Sequence, residues 1–213
     1  MANKPFLLRP TGKDNLWGGR RLNDEFSKNI DMYPLAETWE CSTHPDGPSY
    51  AASGQHQYKT LAQIIKENPH YLGTHPKTKD GLPILVKFID AKMDLSVQVH
   101  PDDTYALENE NGHNGKSEMW YMLDTAKDAH IIYGLHHNTK KEKFRESLEN
   151  GTVEKYLNKV KINKDDVFYI KAGTVHAIGA GALIAEIQQN SNLTYRLYDY
   201  DRLDKNNKKE TFI

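Results

Sequence analysis

From residue 83 onward the chain is a succession of short segments rich in Ile, Val, Phe and Tyr, separated mostly by Gly, Asn and Asp turns. Many short strands at fairly regular spacing predict an antiparallel sandwich or barrel. A parallel βαβ sheet is disfavoured because too few helices lie between the strands. The predicted strands are residues 83–91, 95–101, 118–124, 129–135, 167–170, 182–189 and 193–200.

The N-terminal part, residues 1–48, is rich in Gly, Pro, Asn and Asp, and it predicts irregular chain with short strands, for example over 36–41. Residues 60–73 follow as a helix candidate because their Leu and Ile side chains have helical spacing. Thr60 can cap the start of this helix, and Pro69 stops it. We therefore expect a mainly β protein with a few helices packed on it.

The length of 213 residues allows one domain or one domain with an appendage. Residues 141–160 predict a helical insert of two short helices, broken at Asn150–Gly151.

A net charge of −1 removes the main argument for a nucleic-acid or anionic-membrane partner. Cys41 is the single cysteine and cannot form an intrachain disulfide, which predicts a cytoplasmic protein.

Two motifs carry polar side chains into apolar strands. In LSVQVHPDD, Gln98 and His100 are two residues apart and share one face of a strand, which suits two metal ligands. For this fragment alone, a polar pair facing solvent or a satisfied interior histidine is the favoured interpretation, since a lone histidine usually has that role. In GKSEMWYML, Glu118 heads an apolar strand and needs a metal ion, Lys116 or solvent exposure, because an unpaired buried carboxylate is costly.

A third motif, KAGTVHAIGAG, returns His176 to an apolar strand region after a turn. His176 has a structural alternative too, but with Gln98, His100 and Glu118 it makes a set of N and O donors suited to a borderline divalent ion. Zinc is the natural choice, and manganese, iron and cobalt are not excluded. Since no cysteine lies nearby, an open catalytic site is favoured over a structural zinc finger.

The segment NSNLTYRLYDYDR places Thr194, Arg196 and Tyr198 on one face of a predicted strand. An arginine among aromatic residues suits a phosphate group or a developing oxyanion. The alternative is a solvated arginine paired with Asp199 or Asp201.

Together these motifs resemble those of the type I mannose-6-phosphate isomerases, which are zinc-dependent cupin enzymes, in their short bacterial form. Several long stretches match in the family's order, over residues 6–202. They are LAETWECSTHPDGPS, PILVKFIDAKMDLSVQVHPDD, GKSEMWYML, KAGTVHAIGAG and QQNSNLTYRLYDYDR.

The resemblance implies a fold and a set of functional residues. The fold is a cupin-type antiparallel jelly roll with a few peripheral helices. One zinc ion per chain is expected on the four positions that match the family's ligands. The ligands are Gln98, His100, Glu118 and His176. Arg196 and Lys116 match the family's catalytic and substrate-binding positions, and Ser96 matches a substrate contact.

The implied reaction interconverts mannose 6-phosphate and fructose 6-phosphate through a cis-enediol. Lys116 is expected to transfer a proton or to bind substrate oxygens. Two alternatives stay open: a non-catalytic or truncated sugar-phosphate-binding cupin, and a different metal-dependent cupin enzyme, for example one that uses iron and oxygen.

The domain organisation expected is a single metal-binding cupin domain over residues 1–213, with the family's second, C-terminal cupin domain apparently absent. Its absence would leave an apolar face uncovered. That face predicts self-association or a less stable fold.

Overall fold

The computed structural model describes residues 4–74, 81–200 and 202 of the chain. Within these ranges the strands are β1 (Leu8–Arg9), β2 (Thr11–Lys13), β3 (Glu37–Cys41), β4 (Tyr50–Ala51), β5 (Ile84–Ala91), β6 (Val97–Val99), β7 (Glu118–Thr125), β8 (His130–Leu135), β9 (Leu157–Lys161), β10 (Val167–Ile170), β11 (His176–Ile178), β12 (Ala182–Gln189) and β13 (Tyr195–Tyr198). The α-helices are α1 (Arg21–Asp24), α2 (Leu61–Glu67), α3 (Asp103–Asn109) and α4 (Lys141–Glu149).

Two antiparallel sheets face each other across the main core. Among the described residues one sheet has the order β10-β7-β12-β5-β3-β2 and the other β13-β6-β11-β8-β9, and β1 pairs separately with β4. Trp120 and Ile184 of the first sheet pack in one buried cluster with Ile131 and Ile178 of the second. Burial of these apolar faces is the main force that holds the sheets together. The predicted mainly β, antiparallel architecture is confirmed.

The helix predicted over 60–73 is present in a shorter form. Thr60 Oγ1 accepts a hydrogen bond from the Gln63 N–H, and the Gln63 side chain accepts one from the Thr60 N–H, which makes a complete capping box. The α-helix ends at Glu67, and a 3₁₀ turn, Pro69–Leu72, follows. The proline therefore acts as the predicted stop.

The second helix predicted within residues 141–160 is wrong. Helix α4 ends at Glu149, and Gly151 has a φ of 69°, which breaks the helix as expected. Only a 3₁₀ turn, Val153–Tyr156, follows, and the next residues form β9, which pairs with β8. Pairing with a neighbouring strand overrides the local helical pattern there.

The described helices are short. The longest of them, α4, has 9 residues, and none is long and apolar enough to cross a membrane.

Candidate metal centre and adjoining cavity

Three buried side chains from the two sheets converge in one cluster. His100 follows β6, Glu118 opens β7 and His176 opens β11. One donor atom from each lies within 4.8 Å of the others. His100 Nε2 is 3.2 Å from Glu118 Oε1, and His176 Nε2 is 3.9 Å from Glu118 Oε2. Among the described residues this is the cluster of His and carboxylate groups that could hold a metal ion.

Strand register brings Gln98 to the same place. β11 pairs with β6 so that His176 lies opposite Gln98, and the Gln98 carboxamide nitrogen is 3.4 Å from His176 Nε2. Rotation of the carboxamide would present its oxygen instead, since the group carries both a donor and an acceptor. The structure thus brings together all four side chains that the sequence analysis named as ligands.

The two imidazoles present nitrogen lone pairs to the cluster. The N–H at His176 Nδ1 donates to the Thr174 carbonyl at 2.8 Å, which leaves Nε2 as the acceptor facing Glu118. His100 Nε2 accepts from the Lys116 ammonium at 3.0 Å. His100 Nδ1 is buried without a hydrogen-bond partner among the described residues. Buried polar atoms normally have a partner, so an unpaired nitrogen at this place calls for a functional explanation of the histidine.

Charges in the cluster are set by burial and by Lys116. Burial, followed by repulsion from the Lys116 ammonium, lowers the pKa of His100 to about 3. Burial also lowers the pKa of His176, against the attraction of Glu118. Burial opposes ionisation of Glu118, but the adjacent Lys116 ammonium holds its pKa well below its usual range. The cluster is therefore two neutral imidazoles and one carboxylate, the protonation state that binds metals.

The spacing of these donors fits a small divalent ion. Ligand atoms bound at 2.0–2.1 Å in a tetrahedron lie roughly 3.3–3.4 Å apart, and the Glu118 oxygens lie 3.2 and 3.9 Å from the two imidazole nitrogens. Lys116 Nζ lies 2.5 Å from Glu118 Oε1 and 3.0 Å from His100 Nε2, so its ammonium makes contacts that a bound cation would make.

A cavity of about 400 Å³ lies beside the cluster. Its volume is within the range of small-molecule sites, and its wall is mostly polar and charged. Ser96, Gln98, Lys116 and Arg196 line it, which places the remaining predicted site residues together. The other lining residues are Lys13, Asn15, Trp17, Glu37, Trp39, Lys87, Ile89, Leu95, Ile178, Glu186, Asn192 and Thr194.

Arg196 is held in this wall by its neighbours on β6. Strand β13 pairs with β6, with Arg196 opposite Gln98. Arg196 Nε donates to Ser96 Oγ at 3.0 Å. Ser96 thus contacts Arg196, which helps to fix the orientation of the guanidinium.

Four charged lining residues, Lys13, Glu37, Lys87 and Glu186, were missed from the sequence. Lys87 Nζ lies 3.4 Å from Glu37 Oε2 and 3.5 Å from Glu186 Oε1. Lys87 and Glu186 lie opposite each other in adjacent strands. Each interrupts an apolar strand, LVKFIDA or LIAEIQQ, and that pattern was the available signal.

Glu186 is connected to the metal cluster through Trp120. The indole N–H lies 2.9 Å from Glu186 Oε2 and 3.1 Å from Glu118 Oε2. Burial, followed by repulsion from Glu118, raises the pKa of Glu186 to about 7. A carboxyl group with such a pKa can both accept and release a proton near neutral pH.

Glu186→Gln is expected to change how stability depends on pH in the metal-free chain. Because the pKa of Glu186 rises from 4.5 to about 7 on folding, the folded chain binds more protons there than the unfolded chain between these values. Its contribution to the free energy of unfolding therefore falls as pH rises through this window. The difference in free energy of unfolding between Glu186→Gln and wild type should therefore shift in favour of Glu186→Gln by on the order of 1–3 kcal/mol when the pH is raised from 5 to 8. Urea unfolding measures the difference, with the exposed Glu142→Gln as control; an equal difference at both pH values would contradict it.

The sequence profile of the phosphomannose isomerase type I catalytic domain matches residues 6–133. The chain belongs to this family. The matched range contains Gln98, His100, Lys116 and Glu118, and the structure adds His176 from beyond it.

Curated phosphomannose isomerase relatives match nearly the whole chain. Mannose-6-phosphate isomerase ManA from Bacillus subtilis is 44% identical over 208 residues, covering 98% of this chain and 65% of the relative. Mannose-6-phosphate isomerase from Streptococcus mutans is 39% identical over 206 residues, covering 97% of this chain and 64% of the relative. The chain therefore spans a little under two thirds of the length of these relatives.

The fold comparison agrees with the family assignment. The crystal structure of mannose 6-phosphate isomerase from Bacillus subtilis matches with a TM-score of 0.92 and 42% identity, over 99% of this chain and 66% of that chain. This likeness confirms the predicted cupin-type jelly roll with a few peripheral helices.

Proposed function

We propose that this chain catalyses the zinc-dependent interconversion of mannose 6-phosphate and fructose 6-phosphate. One observation above all supports this: the buried His100, Glu118 and His176 cluster adjoins a cavity into which the cations Lys116 and Arg196 are built. A metal-ligand cluster suits stabilisation of sugar oxygens, and fixed cations suit an anionic sugar phosphate.

Gln98, His100, Glu118 and His176 would hold the metal, one ion per chain. Imidazole and carboxylate donors without a thiolate suit a catalytic zinc site. When bound, zinc supplies a Lewis acid that polarises sugar oxygens. Reconstitution with zinc, manganese, cobalt or ferrous iron, followed by turnover measurements, identifies the preferred ion.

The side chains of the cavity suit the proton transfers of this isomerisation. In the open-chain aldose, a base removes the proton from C2, the electron pair forms the C1–C2 double bond, and the carbonyl oxygen gains a proton to give a cis-enediol. Return of a proton to C1, with loss of the proton on O2, gives the ketose. We assign the base role to Glu186, whose pKa near 7 suits it for both transfers.

The two predicted cationic residues act on the oxygens. Arg196 is placed to stabilise negative charge that develops on the enediol oxygens, because a guanidinium donates several fixed hydrogen bonds. Lys116 is buried against Glu118 and His100 and donates to sugar oxygens at the inner end of the cavity.

A coupled assay tests the function. The purified chain is given mannose 6-phosphate, and fructose 6-phosphate is followed before chelation, after chelation and after zinc is returned, with unphosphorylated mannose as the matched control. Chelator-sensitive turnover that zinc restores, specific for the phosphorylated sugar, is the expected result. Stoichiometric zinc binding without turnover would contradict the proposal and leave a sugar-phosphate-binding domain.

We also propose that the described residues form one metal-binding cupin domain in a cytoplasmic protein, with a small phosphosugar as partner. A shared core between both sheets supports a single unit, so one cooperative unfolding transition is expected. Self-association stays a prediction, and sedimentation of the purified chain tests it.

Ser96→Ala is expected to lower turnover without loss of the metal. The substitution removes the oxygen that accepts from Arg196 Nε, so the guanidinium loses one fixed contact. Since small misplacement of a positioning group costs up to about a hundredfold, we expect a decrease of roughly tenfold in kcat. Ser96→Thr keeps the hydroxyl and serves as control. Equal kcat in Ser96→Ala and wild type would contradict the role.

A further inference from the structure

The loop before β7 carries Lys116, and hydrogen bonds hold its three consecutive amides. Gly115 N–H donates to Asp103 Oδ1 at 2.9 Å. Lys116 N–H donates to the Pro101 carbonyl at 3.0 Å. Ser117 N–H donates to the side-chain oxygen of Gln189 at 2.8 Å. Side chains from α3 and β12 therefore hold the amides on both sides of Lys116.

These two side chains are also bonded to each other. Gln189 Nε2 donates to Asp103 Oδ1 at 2.9 Å, so one carboxylate oxygen accepts from both Gly115 and Gln189. We call this pair, with its bonds to residues 115 and 117, the Asp103–Gln189 bracket. It links the start of α3 to the end of β12, across 86 sequence positions.

At Gly115 the loop before β7 packs closely against the backbone at the start of α3. A Cβ on Gly115 would lie 2.5 Å from backbone atoms of Asp102 and Asp103, so the loop contacts α3 directly. The Lys116 ammonium contacts Glu118 and His100, so the position of this loop determines where the ammonium lies.

We propose that Asp103 and Gln189 are positioning residues, and that their bracket holds the Lys116 ammonium at the metal cluster and the cavity. Its effect on turnover rests on the proposed function, whereas its effect on the location of Lys116 does not. Asp103 is exposed, so its replacement leaves no cavity in the core.

The first readout is acylation of Lys116 by an amine-reactive reagent, mapped by mass spectrometry on the full chain. Wild-type Lys116 is buried and should react slowly. Asp103→Ala removes two bonds of the bracket. Gln189→Glu keeps an acceptor for Ser117 but sets two carboxylates against each other. Each variant should raise the Lys116 acylation rate roughly tenfold, because the lost bonds make local opening more frequent.

The double variant Asp103→Asn with Gln189→Glu gives a rescue. The carboxamide introduced at position 103 can donate to the carboxylate introduced at position 189, while its oxygen accepts from Gly115. The bracket therefore re-forms with one bond reversed, and slow acylation should return. Asp102→Ala is the matched control, because Asp102 caps α3 through Tyr105 and takes no part in the bracket. We expect Asp102→Ala to leave Lys116 protected.

In an active wild type, kcat should fall in both single variants and recover in the double variant, with KM changed less. Unchanged Lys116 acylation in both single variants, with wild-type circular dichroism, would overturn the proposal. So would a double variant in which Lys116 reacts as fast as in Gln189→Glu or faster, because Asp103→Asn would then restore nothing. An inactive wild type with bracket-dependent acylation would contradict the proposed function and leave the bracket standing.

Discussion

Glu118→Ala is expected to abolish metal binding and isomerisation together. The carboxylate contributes one of the three donors within 4.8 Å of one another, and without it the proposed ligand set keeps only neutral donors, from Gln98, His100 and His176. Loss of an outer partner of a metal ligand costs 10–100-fold in affinity or activity, so loss of a ligand should exceed about a hundredfold. Competition with a chromogenic chelator measures the affinity, and the coupled assay measures turnover.

The same substitution should destabilise the metal-free chain. Lys116 is buried and would lose the carboxylate that neutralises it, and removal of one partner of a buried ion pair costs about 3–5 kcal/mol. Glu118→Gln combined with Lys116→Met removes both charges and should recover stability without metal binding. This pair separates folding from the site, and exposed Glu142→Ala on α4 is the control. Native zinc affinity in Glu118→Ala would contradict the assigned ligand set.

Arg196→Ala is expected to give the second large effect, a loss of roughly 10²–10³-fold in kcat. The guanidinium lies in the cavity wall on β13, and Ser96 holds its Nε. Its charge and fixed donors suit the oxygens on which negative charge develops. Because Arg196 is not a ligand in the proposed cluster, zinc affinity should stay at the wild-type value.

Arg196→Lys separates charge from geometry. A lysine keeps the positive charge but lacks the planar fork, so kcat should stay well below wild type while exceeding that of Arg196→Ala. Exposed Arg145→Ala on α4 removes an arginine elsewhere and should leave kcat unchanged. A wild-type kcat in Arg196→Ala would remove this residue from the mechanism, and a rise in KM alone would make it a ground-state binding residue.

Residue pattern predicted the strands and the convergence of His100, Glu118 and His176 better than it predicted the cavity. Period-2 placement of Gln98 and His100 depends only on strand geometry, so it was readable from sequence. The partner of Glu118 was left open among metal, Lys116 and solvent, and the structure shows it buried against Lys116 and His100.

Two features were beyond local pattern. Lys87 and Glu186 are buried as an ion pair formed by the register of β5 and β12, and register is a tertiary property. Strand β9 was taken as helix because the strand that it pairs with, β8, lies on the far side of helix α4 in the sequence. For the Lys87–Glu186 pair and for β9, the residues adjacent in sequence do not show which strand will be the partner.

The most direct test of the account is a zinc titration of the metal-free chain in which bound zinc and turnover of mannose 6-phosphate are measured in the same samples. We expect turnover to rise in proportion to bound zinc and to reach its plateau at one ion per chain. His100→Asn, which alters one ligand of the cluster, should bind zinc weakly and remain inactive at that point. Full turnover in the metal-free chain with excess chelator would contradict the account.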